Sequence, residues 1–322
     1  MPHQHYYKIQ APNNYDLGYA LGGLFKTESQ QLVSCASQQK DWGKLVDRSQ
    51  AYVEITKKYF PQYIEELIGY AKGADIEFIE LWTRSLEGSL SDHCTTVVTN
   101  SGMLVGHNED WEVGTEDQIC ILDITIGQVR ILELYYYTTL GGNALSINSH
   151  GVIQAINSLA HTDHFIGVPR NVIARWISET SHLEGVDRKL HLIPRSSGYS
   201  HVLLNKEGSI WSLECSAREQ SMIERLSPFV HTNHFLSKLQ SLEANTNQTG
   251  SIDRYTAAQS LVHQSMSAEE LQIVMNDQSH GAQTSIMNDR TIAKAVIDLQ
   301  EGVIRIWLKR EVDSGWISYP LL

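Results

Sequence analysis

Apolar residues in the first 90 positions of this 322-residue chain recur every three or four residues. Such spacing puts apolar side chains on one face of a helix. The first residues that follow it are Leu17, Leu21, Leu24, Leu32 and Cys35. Three more helices are predicted on the same basis, over residues 45–60, 61–73 and 76–86. The chain therefore begins with a helical segment.

After residue 93 the pattern changes to short β-prone runs that are separated by glycine-containing turns. The predicted strands are residues 94–99, 103–107, 119–126, 129–138, 144–148, 152–157, 201–205, 210–214, 291–299 and 303–308. Helical patterns return at residues 171–181, 183–192 and 252–263. Strands, then helices, then strands again favour stacked layers over repeated βαβ units.

The turn triplet Asn100-Ser101-Gly102 joins the first two predicted strands into a hairpin. This places Cys94 at the start of a strand, with Asn108 and Asp110 across the hairpin. A cysteine inside a protein is usually inert packing, but this one has polar neighbours. The pattern alone thus makes Cys94 a candidate nucleophile.

Composition narrows the class of protein. Hydrophobic residues make up 42% of the chain and charged residues 19%, as in globular proteins with a substantial core. No apolar run approaches the roughly 20 residues of a membrane span, and the first residues show no secretory signal, so we expect a soluble, cytoplasmic protein that does not bind membranes. A net charge of -12 argues against nucleic-acid binding. Four scattered cysteines are typical of free thiols.

The segment Asp92-x-Cys94-Thr95-Thr96, followed by Gly106-x-Asn108-x-Asp110-Trp111, resembles the acyl-coenzyme A:6-aminopenicillanic acid acyltransferase family, which are self-processing N-terminal-nucleophile (Ntn) hydrolases. Val230-His231-Thr232-Asn233-His234 is a second specific match, and weaker matches follow in the family's order along the whole chain. The resemblance implies an α+β fold, the αββα sandwich of two antiparallel sheets between helical layers, as a single domain over residues 1–322. It also implies self-cleavage at the His93–Cys94 bond into chains 1–93 and 94–322.

The resemblance assigns roles to individual residues. Cys94 would be the nucleophile, and its new α-amino group, with a pKa of about 7.7 to 8.0, its base. Asp110 would orient the amine or the thiol, and Asn233 would stabilise the oxyanion. Four residues are expected to support them: Thr96, Asn108, Ser200 and Arg290. Thr96 also shares the face of Cys94 by strand alternation.

Several alternatives stay open. We expect an amidase that acts on a small N-acyl amine or N-acyl amino acid through a thioester, but an N-acyltransferase would use the same residues. His93 stands where the penicillin acyltransferase has glycine, which keeps open an unprocessed, inactive relative that binds a ligand. A homo-oligomer is also possible.

No cofactor or metal is expected. His161-x-x-His164 and His231-x-x-His234 have a spacing that can bind zinc on a helix. Nothing in the sequence predicts that these two segments are helical, and Pro228 favours an extended approach to the second.

Overall fold

Fourteen strands and nine helices make up the described part of the computed structural model, which covers residues 1–86, 93–244 and 248–322. Asp92 of the cysteine motif lies outside these residues. The helices are α1 Asn14–Leu24, α2 Lys26–Ser37, α3 Trp42–Tyr59, α4 Pro61–Ala74, α5 Phe78–Leu86, α6 Arg170–Glu179, α7 Val186–His191, α8 Thr249–Leu261 and α9 Ala268–Met275. The strands are β1 Tyr6–Ala11, β2 His93–Thr99, β3 Leu104–Asp110, β4 Ile119–Ile126, β5 Val129–Tyr136, β6 Leu145–Asn148, β7 Ile153–Ser158, β8 Tyr199–Leu204, β9 Ile210–Cys215, β10 Gln220–Arg225, β11 Phe229–His231, β12 Thr291–Asp298, β13 Val303–Leu308 and β14 Ile317–Pro320.

The strands form two sheets. One has eight strands in the order β1-β4-β5-β6-β7-β8-β9-β10, and the other has six in the order β11-β2-β3-β12-β13-β14. Every neighbouring pair is antiparallel except β1 and β4, which run parallel. A parallel neighbour needs a long crossover connection, and the helical segment that follows β1 supplies it. The sequence patterns predict neither β1 nor the break at Phe25 that divides the first helical stretch into α1 and α2.

Three apolar cores show how the layers stack. Side chains of β4 alternate between two of them: Leu122 and Ile124 pack against the α1, α4 and α6 side, whereas Ile121 packs between the sheets. A third core lies between the six-stranded sheet and helices α8 and α9. Sheets that are covered on both faces become apolar on both faces, which explains the continuous runs that predicted these strands. The αββα sandwich is thus confirmed.

Helices α1 and α4 approach so closely that only glycine fits between them. A Cβ atom on Gly18 would lie 1.8 Å from the main-chain oxygen of Glu66, and one on Gly69 would lie 2.1 Å from that of Tyr15. Behind this pair, the buried guanidinium of Arg175 in α6 contacts the Glu66 carboxylate at 3.2 Å. The N-terminal helices are therefore joined to the rest of the chain by close packing and by a buried ion pair.

In the parts of the chain that the structure describes, no helix combines the length and the apolar character needed to cross a membrane.

Candidate active site

The β2–β3 hairpin arranges the predicted cysteine and its neighbours. Cys94 lies opposite Glu109 and Thr96 opposite His107, whereas His93 lies opposite Asp110. Because side chains alternate along a strand, Cys94 shares its face of the sheet with Glu109, and Asp110 belongs to the other face. The two adjacent carboxylates therefore lie in different surroundings.

The thiol of Cys94 is buried beside a carboxylate. Its Sγ lies 3.5 Å from Oε2 of Glu109. The same oxygen lies 2.8 Å from Nε2 of His107, and the hydroxyl of Tyr136 donates to the other carboxylate oxygen at 2.7 Å. Cys94, His107 and Glu109 are all at most 2% exposed. A thiol proton thus has an acceptor within reach in a buried site.

Both ring nitrogens of His107 have hydrogen-bond partners. The Thr96 hydroxyl donates to Oδ1 of Asn157 at 2.9 Å, so it accepts from Nδ1 of His107 at 3.0 Å. The other ring nitrogen, Nε2, lies 2.8 Å from the Glu109 carboxylate. These two contacts fix the imidazole ring of His107 between Thr96 and Glu109. Thr96 therefore contacts the residue that is paired with Glu109, and its supporting role stays a prediction.

The main chain of Cys94 is held by two side chains. Its N–H donates to Oδ1 of Asn233 at 2.8 Å, and its carbonyl oxygen accepts from Nη1 of Arg254 at 2.8 Å. Arg254 also donates to Oδ1 of Asn233 at 2.9 Å, and Nδ2 of Asn233 donates to the Ser158 carbonyl at 3.1 Å. Asn233 thus contacts the nitrogen that cleavage would turn into an α-amine. The side-chain NH₂ group of Asn233 has two hydrogens, and the one that is not donated to Ser158 can donate to another acceptor.

Asp110 is fully buried on the opposite face of β3. It accepts hydrogen bonds from the Thr291 hydroxyl at 2.6 Å and from Nδ2 of Asn288 at 2.8 Å. Burial raises its pKa from 3.8 to about 6, although the positive charge of Arg254 opposes the rise. Burial in turn lowers the pKa of Arg254, and Asp110 opposes that change. Asp110 therefore interacts with the site through Arg254 and lies opposite His93, beside the His93–Cys94 peptide.

Two other predicted residues have different partners. Nδ2 of Asn108 donates to the carbonyl oxygens of Met275 and Ile286, both at 2.9 Å, so Asn108 fixes the end of α9. The Ser200 hydroxyl lies 3.0 Å from Nε2 of His231, a second buried polar group.

The third, Arg290, is exposed, and its main-chain oxygen accepts from Trp111 at 2.9 Å. Its charge contributes to the lowered pKa of Arg254, after the larger effect of burial.

Four site residues are not singled out by the sequence patterns: His107, Glu109, Tyr136 and Arg254. The hairpin contained a signal for two of them, because a symmetric register about the turn pairs Cys94 with Glu109 and Thr96 with His107. Tyr136 and Arg254 reach the site only through the packing of β5 and α8, and no local pattern identifies them.

One group of donors has the composition of a metal site. Single ligand atoms of Cys94, His107 and Glu109 lie within 4.8 Å of one another, and thiolate, imidazole and carboxylate are the ligands that zinc takes. The His-x-x-His segments differ from this group. Nε2 of His161 accepts from the Gly198 N–H at 3.2 Å, and Nδ1 of His231 donates to the Thr232 carbonyl at 2.7 Å.

Comparison with solved structures finds similar folds at low sequence identity. A mutant form of conjugated bile acid hydrolase from Clostridium perfringens matches with a TM-score of 0.46 and 11% identity, covering 71% of this chain and 92% of that one. Penicillin V acylase from Agrobacterium tumefaciens matches with a TM-score of 0.48 and 13% identity, covering 67% of this chain and 83% of that one.

Two characterised proteins are similar in sequence. The 40 kDa form of acyl-coenzyme A:6-aminopenicillanic-acid-acyltransferase from Emericella nidulans is 24% identical over 240 residues, which are 69% of this chain and 67% of that protein. A β-alanyl-dopamine/carcinine hydrolase from Drosophila melanogaster is 30% identical over 161 residues, which are 42% of each chain.

The sequence model of the acyl-coenzyme A:6-aminopenicillanic acid acyl-transferase family matches residues 97–312, about two thirds of the chain. The match begins three residues after Cys94. The expectation of an enzyme that acts on carbon–nitrogen amide bonds is thereby confirmed. Because the match extends over more than half of its length, this chain belongs to the acyl-coenzyme A:6-aminopenicillanic acid acyl-transferase family.

Proposed function

We propose that this protein is a self-processing amidohydrolase whose nucleophile is the N-terminal cysteine that cleavage before Cys94 creates. Its substrate is a small N-acyl amine or N-acyl amino acid, and the acyl group passes through a thioester. One observation carries the proposal: the nitrogen, carbonyl and thiol of Cys94 each have a polar side chain within 3.5 Å, from Asn233, Arg254 and Glu109.

Self-cleavage begins with attack of the Cys94 thiol on the carbonyl carbon of His93. Glu109, paired with His107, takes the thiol proton, and the departing nitrogen of Cys94 gains a proton as the S–C bond replaces the N–C bond. Water then hydrolyses the thioester. Asn233 accepts from the Cys94 nitrogen before cleavage and is in place to accept from the α-amine afterwards.

We place both products in one domain. The first product supplies β1, which pairs with β4 of the second. It also supplies Glu66, whose carboxylate contacts Arg175. Sheet hydrogen bonds and this buried ion pair hold chains 1–93 and 94–322 together without a covalent link.

Turnover uses the same atoms on an external amide. The neutral α-amine of Cys94 takes the thiol proton, the thiolate attacks the substrate carbonyl, and the developing oxyanion receives the second amide hydrogen of Asn233. Collapse expels the amine with the proton, and water releases the acid. Loss of one oxyanion donor costs about 3 to 4 kcal/mol, so Asn233→Ala should slow turnover by at least about 100-fold.

Intact-mass spectrometry tests the processing step. The wild-type protein should give two chains that begin at residues 1 and 94, and Cys94→Ala should give one. Cys35→Ala is the matched control, because Cys35 is the exposed free cysteine and its loss should not affect processing. A single wild-type chain whose Cys94 gains no acyl mass from an N-acyl amide panel would favour the inactive, ligand-binding relative.

Product analysis distinguishes a hydrolase from an acyltransferase. The second activity remains an alternative because the family is described as an acyl-transferase. The wild-type enzyme is incubated with an N-acyl amide in the presence and absence of a competing primary amine. A free acid that persists with the amine present supports hydrolysis. Quantitative conversion to the new amide would instead establish acyl transfer as the main reaction.

A further inference from the structure

Two adjoining cavities lie beside the active site. The larger has a volume of about 340 Å³ and the smaller about 40 Å³. Ser85, Asn171 and Tyr199 line both, so the two are parts of one recess. A volume of this size is at the low end for small-molecule sites and suits a small amide better than an acyl-coenzyme A.

Hydrogen bonds connect each cavity to a group that contacts Cys94, one for the smaller cavity and two for the larger. Tyr136 lines the smaller cavity and donates to the Glu109 carboxylate. Arg170 lines the larger cavity and donates from Nη1 to the Ser158 hydroxyl at 3.3 Å. The carbonyl of the same serine accepts from Asn233. Cys94 lines neither cavity, so a ligand in the recess would lie near the nucleophile and reach it through these linked groups.

The described side chains that line the recess are cationic or neutral. Three arginines and two histidines line it: Arg48, Arg84, Arg170, His161 and His164. None of its described lining residues is Asp or Glu, although the chain as a whole carries 37 acidic and 25 basic residues. This charge contrasts with the net charge of the protein and favours an anionic ligand.

Arg170 is the best placed of these cations. Its guanidinium carbon lies over the Tyr199 ring, 4.2 Å from the centroid, and this cation–π contact helps to hold it at the recess. In the described residues, neither Arg170 nor Arg48 forms an ion pair with a carboxylate. A planar guanidinium with unused donors is suited to a bidentate contact with a carboxylate.

We propose that this recess binds an anionic group of the substrate through Arg170, so that the enzyme selects negatively charged amides over neutral or cationic ones. The inference rests on the proposed function and adds a substrate class to it. The group is a carboxylate on either the amine side or the acyl side of the amide.

Calorimetric binding to the Cys94→Ala protein tests the proposal without turnover. One matched set varies the amine side: N-butyrylglycine, N-butyrylglycinamide and N-butyrylethylenediamine. A second pair varies the acyl side: N-succinylglycinamide and N-butyrylglycinamide. The anionic member of at least one set should bind at least about tenfold more tightly than its neutral partner, a difference of about 1.4 kcal/mol.

Substitutions connect that preference to the recess. Arg170→Ala should abolish it, Arg170→Lys should retain part of it, and Arg188→Ala, an exposed arginine outside both cavities, should leave it unchanged. Thermal melts confirm that each variant is folded. Equal binding of all members, tighter binding of the cation, or a preference that survives Arg170→Ala would overturn the inference. Failure of the wild-type enzyme to hydrolyse any member would count against the proposed function instead, because binding is measured separately.

Discussion

Replacement of Asp110 by asparagine should make the protein more stable at alkaline pH and less able to process itself. Burial raises the pKa of Asp110 from 3.8 to about 6, which means that the folded state holds the proton more tightly than the unfolded state does. A buried carboxylate that is ionised at neutral pH is therefore a cost to folding. The protein nevertheless retains Asp110 beside the His93–Cys94 peptide, where its negative charge attracts the positive charge of Arg254.

The size and the sign of this cost follow from the pKa. At 1.36 kcal/mol for each pKa unit, the rise to about 6 corresponds to about 3 kcal/mol. Because the folded-state pKa of Asp110 is raised, the cost is absent below pH 3.8, grows as the pH rises, and is complete above pH 6. About half of it develops between pH 5 and pH 8.

Asparagine removes the titration and nearly preserves the shape. Its oxygen can still accept from Asn288, and its NH₂ can donate to the Thr291 hydroxyl after that hydroxyl rotates. The weaker hydrogen bonds cost about 1 kcal/mol. We therefore expect Asp110→Asn to be more stable than its parent by about 2 kcal/mol at pH 8, but by less than about 1 kcal/mol at pH 5.

Urea denaturation from pH 5 to pH 8 measures this, with both proteins in a Cys94→Ala background so that each sample is a single chain. Asp123→Asn is the matched control. Burial raises the pKa of Asp123, but hydrogen bonds from Arg130 and Tyr6 outweigh burial and lower it. The ionised Asp123 therefore stabilises the folded state at every pH in this range. Asp123→Asn should lose that stabilisation by the same amount at each pH. A stability difference for Asp110→Asn that stays constant with pH, or that reverses sign, would refute the reasoning.

Three further substitutions test other parts of the structure. Gly69→Ala should destabilise the protein by roughly 1 to 3 kcal/mol or more, because its Cβ would lie 2.1 Å from a main-chain oxygen of the facing helix. Gly23→Ala is the control: a Cβ there meets nothing within 4 Å, so this variant should be neutral or slightly stabilising. Thermal melts compare the two. Arg254→Lys should slow self-processing at least about tenfold, followed by intact mass, because one ammonium group cannot make all the contacts of the guanidinium. Arg175→Ala should cost about 3 to 5 kcal/mol in urea denaturation, since it leaves a buried carboxylate unpaired.

Each of these predictions has an outcome that contradicts it. Equal melting temperatures for the two glycine variants would mean that α1 and α4 can move apart freely. Normal processing of Arg254→Lys would remove the requirement for a guanidinium at the Cys94 carbonyl. A stability loss below about 1 kcal/mol for Arg175→Ala would show that the Glu66 carboxylate is hydrated or protonated.

Local patterns in the sequence predicted most of the architecture because they arise from local geometry. Helical spacing identified α3 and α4, and β-prone runs identified ten of the fourteen described strands, whereas β1, β10, β11, β14 and helix α9 were not predicted. The parallel strand β1 was not predicted, because a six-residue run ahead of helices carries no signal of its distant partner β4. The placement of Cys94 at the start of β2 follows from the same local rules and is what the structure shows.

The composition of the site could be predicted only in part. Asn233 comes from a loop after β11, and the family motif identified it. The sequence did not identify Arg254. It lies in α8, whose apolar and polar residues are not separated onto different faces, and it becomes fully buried only when α8 packs on β2. Arginine is mostly exposed in proteins, so the sequence alone favours a surface position for it.

Which carboxylate faces the thiol depends on the hairpin register. A slip of one residue in β3 would exchange Glu109, whose carboxylate is held by donors from His107 and Tyr136, for Asp110, whose pKa is raised by burial. The turn prevents that slip. Gly102 has a φ of +83°, and a Cβ there would lie 1.9 Å from the main-chain oxygen of Gly208 in the other sheet. The close contact between the hairpin turn and a loop of the second sheet therefore favours the register that places Glu109 next to Cys94.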